Sequence, residues 1–300
     1  MSAPPVRLRR VVVALDASPH SLAALQAAVD LASARKLELL ALFVEDLRLL
    51  QATALPFAHE VGAFSGSVRP LDAAQTERRL RDLATRVEAL VAATAGRAAV
   101  PWTFRVRRGD VFAEILASAE AGDLLSLGAA GWSPMRGRAL GETAGRLVQG
   151  VGGPMLLARR GTRLRLPLLV LLEGERWRET LEAATDLAGE AAGALVLAVA
   201  PGPAQAAREG EARALLAQLG VGPTRVRLLA GSGPSPLRAV VRREHAGALL
   251  APASAAAFRG EAGERLLAGF DVPVILIRWG PSAAPARPQA AQGPRKSPLG

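Results

Sequence analysis

Continuous apolar runs and amphipathic segments alternate along the first half of the chain. Residues 11–15 are all apolar, as in a strand that is buried on both faces of a parallel sheet. Leu22, Leu25 and Val29 follow at spacings of three and four, which predicts a helix that lays one face on that sheet. A second apolar run at 37–44 predicts the next strand.

The same alternation continues as far as residue 158. It predicts further helices over 72–95, from 111 onward and over 143–149, and further strands over 102–107, 124–127 and 155–158. Ser18 and Asp110 stand just before two of these helices and are expected to cap them. Residues 45–74 interrupt the rhythm with scattered prolines and glycines. The pattern predicts an α/β fold with a doubly wound, Rossmann-like parallel sheet.

The order of segments in the first half returns in the second half, which indicates a tandem duplication. The matched segments are 11–15 with 168–172, 141–148 with 260–267, and 154–157 with 273–276. We therefore expect two domains, at 1–160 and 165–280, of which the second is shorter because it lacks a counterpart of 45–74. The stretch 281–300 has no periodicity and is expected to be a disordered tail.

Composition excludes several classes of protein. The chain has no cysteine, so disulfides, thiolate metal sites and cysteine nucleophiles are excluded, and a cytoplasmic protein is expected. The longest apolar runs are too short to span a bilayer, so no membrane association is expected. The net charge of +10 comes almost entirely from dispersed arginines, and aromatic residues are few, so nucleic-acid binding rests on net charge alone and is not expected.

The three histidines, His20, His59 and His245, lie in separate predicted elements. None has a second histidine or a carboxylate at the spacing of metal ligands, so surface or structural roles are favoured over a proton shuttle. No metal is expected.

Ligands of open parallel sheets collect at the carboxyl ends of the strands. At that edge the first half offers Asp16 after the first strand and Val44 at the end of the second. Gly128 and Gly131 follow a later strand, and Gly141 precedes a helix. Glycines let the backbone approach a phosphate, and a helix start supplies amide donors. These residues are the candidate ligand site.

The chain resembles the universal stress protein family in its tandem two-domain form. The resemblance rests on the opening Val-Val-Ala-Leu-Asp-Ala-Ser, on Phe43-Val44-Glu45, and on the Gly-x2-Gly-x9-Gly signature met by Gly128, Gly131 and Gly141. It implies that ATP is the candidate cofactor, with adenine and ribose near Asp16 and the phosphates in the glycine signature. Val44 and Thr143 complete the implied pocket.

The resemblance also implies how the two halves meet. It places the contact at their last strands, 155–158 and 274–277, which would give an intrachain pseudo-dimer. Whether two chains also form a homodimer is left open. The stretch 45–74 leaves the end of the second strand, so we expect it to cover the mouth of the pocket, anchored by Phe57 and Phe64.

One departure from the family signature bears on function. ATP-binding members follow the last glycine with serine or threonine, whereas here Glu142 stands in that place and Thr143 comes one residue late. A carboxylate disfavours phosphates and complements the helix dipole itself, and Glu261 repeats the arrangement in the second half. Arg136 and Arg138 either offset Glu142 or are solvated.

In the second half, residues 252–256 replace the first two glycines, so no phosphate cradle is expected there. The favoured interpretation is therefore a non-catalytic stress-response module that binds unidentified protein partners and binds ATP weakly or not at all. The alternative is an ATP-binding member that uses only the first half, with or without slow hydrolysis.

Overall fold

The computed structural model describes residues 8–55, 57–61, 66–130, 140–189, 193–222 and 224–278. Its strands are β1 (Arg10–Leu15), β2 (Glu38–Asp46), β3 (His59–Val61), β4 (Val68–Pro70), β5 (Trp102–Gly109), β6 (Asp123–Gly128), β7 (Pro154–Ala158), β8 (Leu168–Leu172), β9 (Leu195–Val199), β10 (Arg225–Leu228), β11 (Ala248–Pro252) and β12 (Val274–Ile277). Its α-helices are α1 (Pro19–Arg35), α2 (Leu47–Ala52), α3 (Ala73–Arg97), α4 (Val111–Ser118), α5 (Glu142–Gly150), α6 (Trp177–Ala188), α7 (Gln205–Gln218), α8 (Pro234–Arg243) and α9 (Gly260–Gly269).

Ten of the strands form one sheet in the order β10-β9-β8-β11-β12-β7-β6-β1-β2-β5. Each half contributes five parallel strands in the same internal order, so the sheet has a pseudo-twofold axis at its centre. At that axis β7 and β12 pair antiparallel, with Leu156 opposite Ile275. The predicted fold class is confirmed, and the last strands of the two halves meet as expected. The domain limits 1–160 and 165–280 stay a prediction, because one sheet runs through both halves.

Helices cover both faces of the sheet, and this explains the unbroken apolar runs. Val11 and Val13 of β1 belong to the core under α1 and α3, whereas Val12 between them belongs to the core on the opposite face, with α4 and α5. All three side chains are fully buried. Every position of a central strand therefore needs an apolar side chain.

The start of α1 follows the predicted capping. The Ser18 hydroxyl oxygen accepts a hydrogen bond from the backbone N–H of Ser21 at 3.1 Å, and Pro19 occupies the first turn. Asp110 caps α4 in the same way, because its carboxylate accepts from the N–H of Ala113 at 3.0 Å. These two caps set where each helix leaves the carboxyl edge of the sheet.

The irregular stretch begins later than expected. Glu45 belongs to β2, where it is buried and accepts a hydrogen bond at 2.8 Å from Arg108, its register partner on β5. Beyond Asp46 the chain forms α2 and the small antiparallel hairpin β3–β4. Phe57 is 73 % exposed, so the expectation that it anchors this segment is wrong. Phe64 lies outside the described residues, as does the stretch 281–300.

Candidate functional site

A cavity of about 420 Å³ opens at the carboxyl ends of β1, β2 and β6. The first turns of α4 and α5 and one side of α2 complete its walls. The residues around it are Ala14, Leu15, Asp16, Ser21, Leu42, Val44, Asp46, Leu49, Val111, Ile115, Leu127, Gly128, Ala130, Gly141, Glu142, Thr143 and Ala144. The cavity thus lies at the edge where open parallel sheets bind ligands.

The cavity brings together the predicted site residues that the structure describes. Asp16, Val44, Gly128, Gly141 and Thr143 all line it. The remaining predicted residue, Gly131, lies outside the described residues, as do Arg136 and Arg138.

Within its described residues, the stretch predicted to be a lid borders the cavity only through Asp46 and Leu49. Leu49 of α2 lines the cavity, whereas the described part of the β3–β4 hairpin contributes none of the lining residues.

Asp16 is held at the mouth of the cavity by the turn between β1 and α1. Its carboxylate accepts a hydrogen bond at 2.9 Å from the backbone N–H of Ser18, and its own N–H donates to the Ser21 hydroxyl at 3.4 Å. Ala17 between them has a left-handed backbone, with φ at 59°. The side chain of Asp16 is exposed at this edge of the sheet.

Packing against α1 requires a glycine at position 128, independently of any ligand. A Cβ atom at this position would lie 2.8 Å from the backbone nitrogen of Ser21 and 2.9 Å from the carbonyl carbon of His20. Real Cβ atoms do not approach backbone atoms so closely, so only glycine lets β6 pass the first turn of α1. The glycine signature is therefore in part a helix-packing signature.

Glu142 is the first residue of α5 and lines the cavity with a largely exposed side chain. Its side chain is 67 % exposed, and its carboxylate is 3.7 Å from the Arg48 guanidinium. The preceding residue, Gly141, has no side chain to cap the helix, so Glu142 supplies the negative charge at this N-terminus. This position agrees with the structural role expected for the Gly-Glu pair.

Arg48 and Asp46 are parts of the site that sequence reasoning missed. The Arg48 guanidinium lies 3.4 Å from Asp46, 4.0 Å from Asp110 and 3.7 Å from Glu142. The charge of Asp46 is the main reason that the pKa of Arg48 is raised. Asp46 comes two residues after Val44 on the same strand, and that spacing was the available signal.

The lining suits one part of a nucleotide better than the other. Leu42, Val44, Val111 and Ile115 give apolar walls against which a flat base can pack, and Asp16 and Asp46 supply acceptors for sugar hydroxyls. At the start of α5, where phosphates would meet the helix dipole, the lining adds Glu142 instead. The described lining therefore combines apolar walls and carboxylate acceptors with a further carboxylate at the helix start.

In the second half, side-chain and loop atoms fill the position that corresponds to the cavity of the first half. Glu173, which follows β8 as Asp16 follows β1, accepts a hydrogen bond at 2.8 Å from the backbone N–H of Ala256. Residues Ala256–Phe258 form a single 3-10 turn that packs on α9. At Gly263 a Cβ atom would lie 2.0 Å from the carbonyl carbon of Phe258, so the turn rests directly on the helix backbone.

Among the described residues, no group of three or more histidine or acidic side chains is arranged to hold a metal ion. No helix in that part of the chain is long and apolar enough to cross a bilayer.

Comparison with known proteins agrees with this architecture. A universal stress protein from Archaeoglobus fulgidus DSM 4304 superposes with a TM-score of 0.69 at 16% sequence identity, covering 90% of this chain and 98% of that chain. A functionally unknown protein from Pseudomonas aeruginosa PAO1 gives 0.51 at 15% identity, with 91% and 93% of the two chains covered. A putative universal stress protein from Pseudomonas aeruginosa UCBPP-PA14 gives 0.50 at 15% identity, with 91% and 94% covered. At these identities the likeness shows the fold.

The family itself is shown by sequence. No curated protein sequence matches the chain significantly. The model of the universal stress protein family matches residues 7–159, which span β1 to β7 and include every described residue of the cavity. The chain belongs to the universal stress protein family.

Proposed function

We propose that this protein is a non-catalytic binding module that holds a nucleoside in its first half and binds the triphosphate chain of ATP weakly. The observation that carries the proposal is the composition of the 420 Å³ cavity, which has apolar walls and an acidic rim at the helix start. Its volume falls in the range of about 300–1,000 Å³ that is usual for small-molecule sites. No turnover is proposed, and protein partners remain to be identified.

The electrostatic argument limits how strongly Glu142 opposes ATP. A half-buried carboxylate beside a phosphate would cost a few kcal/mol, but Glu142 is 67 % exposed and has Arg48 beside it. Solvent and the neighbouring cation both screen its charge, so its effect is comparable to that of a surface ion pair, about 0.2–1 kcal/mol. Replacing Glu142 with serine should therefore strengthen ATP binding by at most about fivefold.

A second candidate is an ATP-binding protein that uses the first half only, with or without slow hydrolysis. The position of Arg48 favours it, because a guanidinium 3.7 Å from Glu142 is also within reach of a phosphate at the rim. Under this proposal Arg48→Gln weakens ATP binding and leaves adenosine binding unchanged.

Calorimetric titration of the whole chain with adenosine and with ATP separates the two candidates. The nucleoside proposal expects adenosine and ATP to bind with similar affinity and Glu142→Ser to favour ATP alone. Glu261→Ser is the matched control, because it makes the same change at the start of α9 and should alter neither affinity. Val44→Trp, which fills the cavity, should abolish both.

ATP binding more than tenfold tighter than adenosine binding would contradict the nucleoside proposal and favour the second candidate. Failure of Val44→Trp to weaken either ligand would show that the cavity is not the site. Phosphate release from ATP above the uncatalysed rate, abolished by Val44→Trp, would overturn the assignment as non-catalytic.

A further inference from the structure

A second cleft, of about 570 Å³, lies between α8 and α9 of the second half. It is strongly basic, since four of its lining residues are arginines and one is acidic: Arg159, Arg238, Arg242, Arg265 and Asp271. It shares no lining residue with the cavity of the first half. The function proposed above makes no use of it.

The duplication shows what occupies the same place in the first half. There Phe112 of α4 packs on α5, with its ring 3.6 Å from the position of a Cβ atom at Gly150. In the second half the Arg238 guanidinium takes that position, 2.8 Å from a Cβ at Gly269. Gly150 and Gly269 stand nine residues after Gly141 and Gly260, respectively, so they match in the repeat. An arginine has therefore replaced an aromatic ring at a helix-packing contact.

This replacement removes the ring on which an arginine of the next helix stacks in the first half. In the first half Arg146 stacks over the Phe112 ring, with its guanidinium carbon 4.3 Å from the ring centroid. Arg265 is the counterpart of Arg146, since each lies five residues after the matched glycine. In the second half Arg265 instead lines a cleft together with Arg238, whose own guanidinium carbon lies 6.0 Å from the centroid of the Phe270 ring. Arg265 therefore shares its cleft with a second cation, whereas Arg146 stacks on an aromatic ring.

Carboxylates in the described part of the chain offset this charge only at the outer edge. Arg242 lies 3.4 Å from Asp271 and Arg265 lies 2.8 Å from Glu261, and all four side chains are exposed. Among the described residues, neither Arg238 nor Arg159 has a carboxylate within ion-pair distance.

The Nε atom of Arg238 is buried and has no hydrogen-bond partner in the described structure. A buried donor without an acceptor costs free energy, so the protein holds this guanidinium beside the cleft without satisfying all of its donors.

Arg159 reaches the cleft from the other half of the chain. It follows β7, and its counterpart Arg278 follows β12, so the pseudo-twofold axis relates the two. Arg278 donates a hydrogen bond at 2.6 Å to the backbone carbonyl of Val148 on α5. Arg159 instead lines the cleft beside α9. The cleft is thus built from both halves and exists only when they are joined at β7 and β12.

We propose that this cleft binds a small phosphorylated molecule that carries at least two negative charges, such as a diphosphate or a bisphosphate. Guanidinium groups match phosphate oxygens through paired N–H donors. Two of the four arginines pair with exposed carboxylates, and the two that remain favour an anion with at least two negative charges. The cleft volume is in the range of small-molecule sites, which favours a compact ligand over an extended polymer. The proposal does not depend on the nucleoside cavity.

Inorganic pyrophosphate is the probe, titrated into the whole chain by calorimetry in chloride buffer at moderate ionic strength. We expect binding at one site per chain, weakened at least tenfold by Arg238→Phe. That variant places a ring beside Gly269, as Phe112 places one beside Gly150 in the first half. Arg265→Gln should weaken binding in the same direction and provides a second test.

Arg243→Gln is the matched control. Arg243 lies on the same helix, carries the same charge and does not line the cleft, so its replacement should change the affinity less than twofold. Val44→Trp should leave pyrophosphate binding unchanged, which separates this site from the nucleoside cavity.

Three results would overturn the proposal. They are no pyrophosphate binding at millimolar concentration, equal losses in Arg238→Phe and Arg243→Gln, and affinity for duplex DNA that keeps rising with duplex length. The second result would indicate diffuse attraction to a basic protein, and the third an extended nucleic-acid surface.

Discussion

The Glu173 carboxylate accepts a hydrogen bond from the backbone N–H of Ala256 at 2.8 Å. This bond lies at the edge of the second half that corresponds to the cavity edge of the first half. Asp16, its counterpart, caps its own turn through Ser18 instead. One additional methylene lets the glutamate span the gap to the loop after β11. The two halves therefore share a fold, but a side chain of the second half closes the place that the first half leaves open.

Gly263→Ala should destabilise the second half, because the added methyl group would meet the backbone of Phe258 at 2.0 Å. Overpacking of this kind costs about 1–3 kcal/mol of unfolding free energy. Gly210→Ala is the control, because Gly210 lies in α7 with no atom near the position of a Cβ, and the change should stabilise the protein by about 0.5–1 kcal/mol. Urea unfolding followed by circular dichroism measures both, and equal effects would contradict the packing of the turn on α9.

The capping residues and the repeat show how much could be predicted from the sequence. Ser18 and Asp110 cap the helices they were expected to cap, because capping depends on a side chain and the next few residues. Asp16 and Val44 both line the cavity, because strand ends meet at one edge of a parallel sheet.

Features that depend on packing between distant segments could not be predicted. Arg48 contacts Asp110 and Glu142, which are far from it in sequence, so no local pattern indicates the contact. Phe57 was expected to be an anchor because it is apolar, yet it is exposed. The burial of an apolar side chain depends on which distant segments pack against it, and the local sequence does not give that packing. Gly128 fits a ligand signature and a helix contact equally well, and only the position of α1 reveals the second.

The contact between the halves should be strong, since Leu156 and Ile275 face each other across β7 and β12 and are fully buried. Replacing either with alanine should lower the unfolding free energy by about 2–5 kcal/mol. The double variant should lose less than the sum of the two, because the residues share one environment. Leu219→Ala, at an exposed leucine, should change stability by less than about 0.5 kcal/mol. Additive losses at Leu156 and Ile275 would argue against the pairing of β7 with β12.

Glu244 should make stability depend on pH in the acid range. Its side chain is 2 % exposed, and hydrogen bonding from Arg227 is the main reason that its pKa is lowered. A carboxyl with a lowered pKa contributes stability above its unfolded pKa of about 4.3, and this contribution is lost as the pH falls through the folded pKa.

Glu244→Gln should therefore cost about 1–3 kcal/mol at pH 7, and the difference from the unmodified protein should shrink below about pH 4. Urea unfolding at several pH values gives the comparison. The control is Glu261→Gln, because Glu261 is exposed and its ion pair among the described residues is with Arg265, one turn away. A difference that stays constant down to pH 3 would show that the charge of Glu244 is not what stabilises the fold.

His20 offers a reporter of the basic cleft that is independent of calorimetry. Burial is the main reason that the pKa of His20 is lowered. The positive charges of Arg159 and Arg160 lower this pKa further, and the negative charge of Asp16 raises it. Its Nδ1 atom is also 3.3 Å from the backbone nitrogen of Arg160. Because the folded pKa is below the unfolded value of about 6.5, protonation favours the unfolded state, and stability should decline as the pH falls through that value.

Arg159→Gln should raise the pKa of His20, since one of the positive charges that oppose its protonation is gone. Pyrophosphate bound in the cleft should also raise it in the unmodified protein, because the anion neutralises Arg159 at a distance. Proton NMR titration of the imidazole between pH 4 and 8 measures both effects, and His59, whose side chain hydrogen-bonds the Phe57 carbonyl in a separate segment, is the internal control. A pyrophosphate-induced shift that persists in Arg159→Gln, or that His59 shares, would mean that the anion acts elsewhere on the protein.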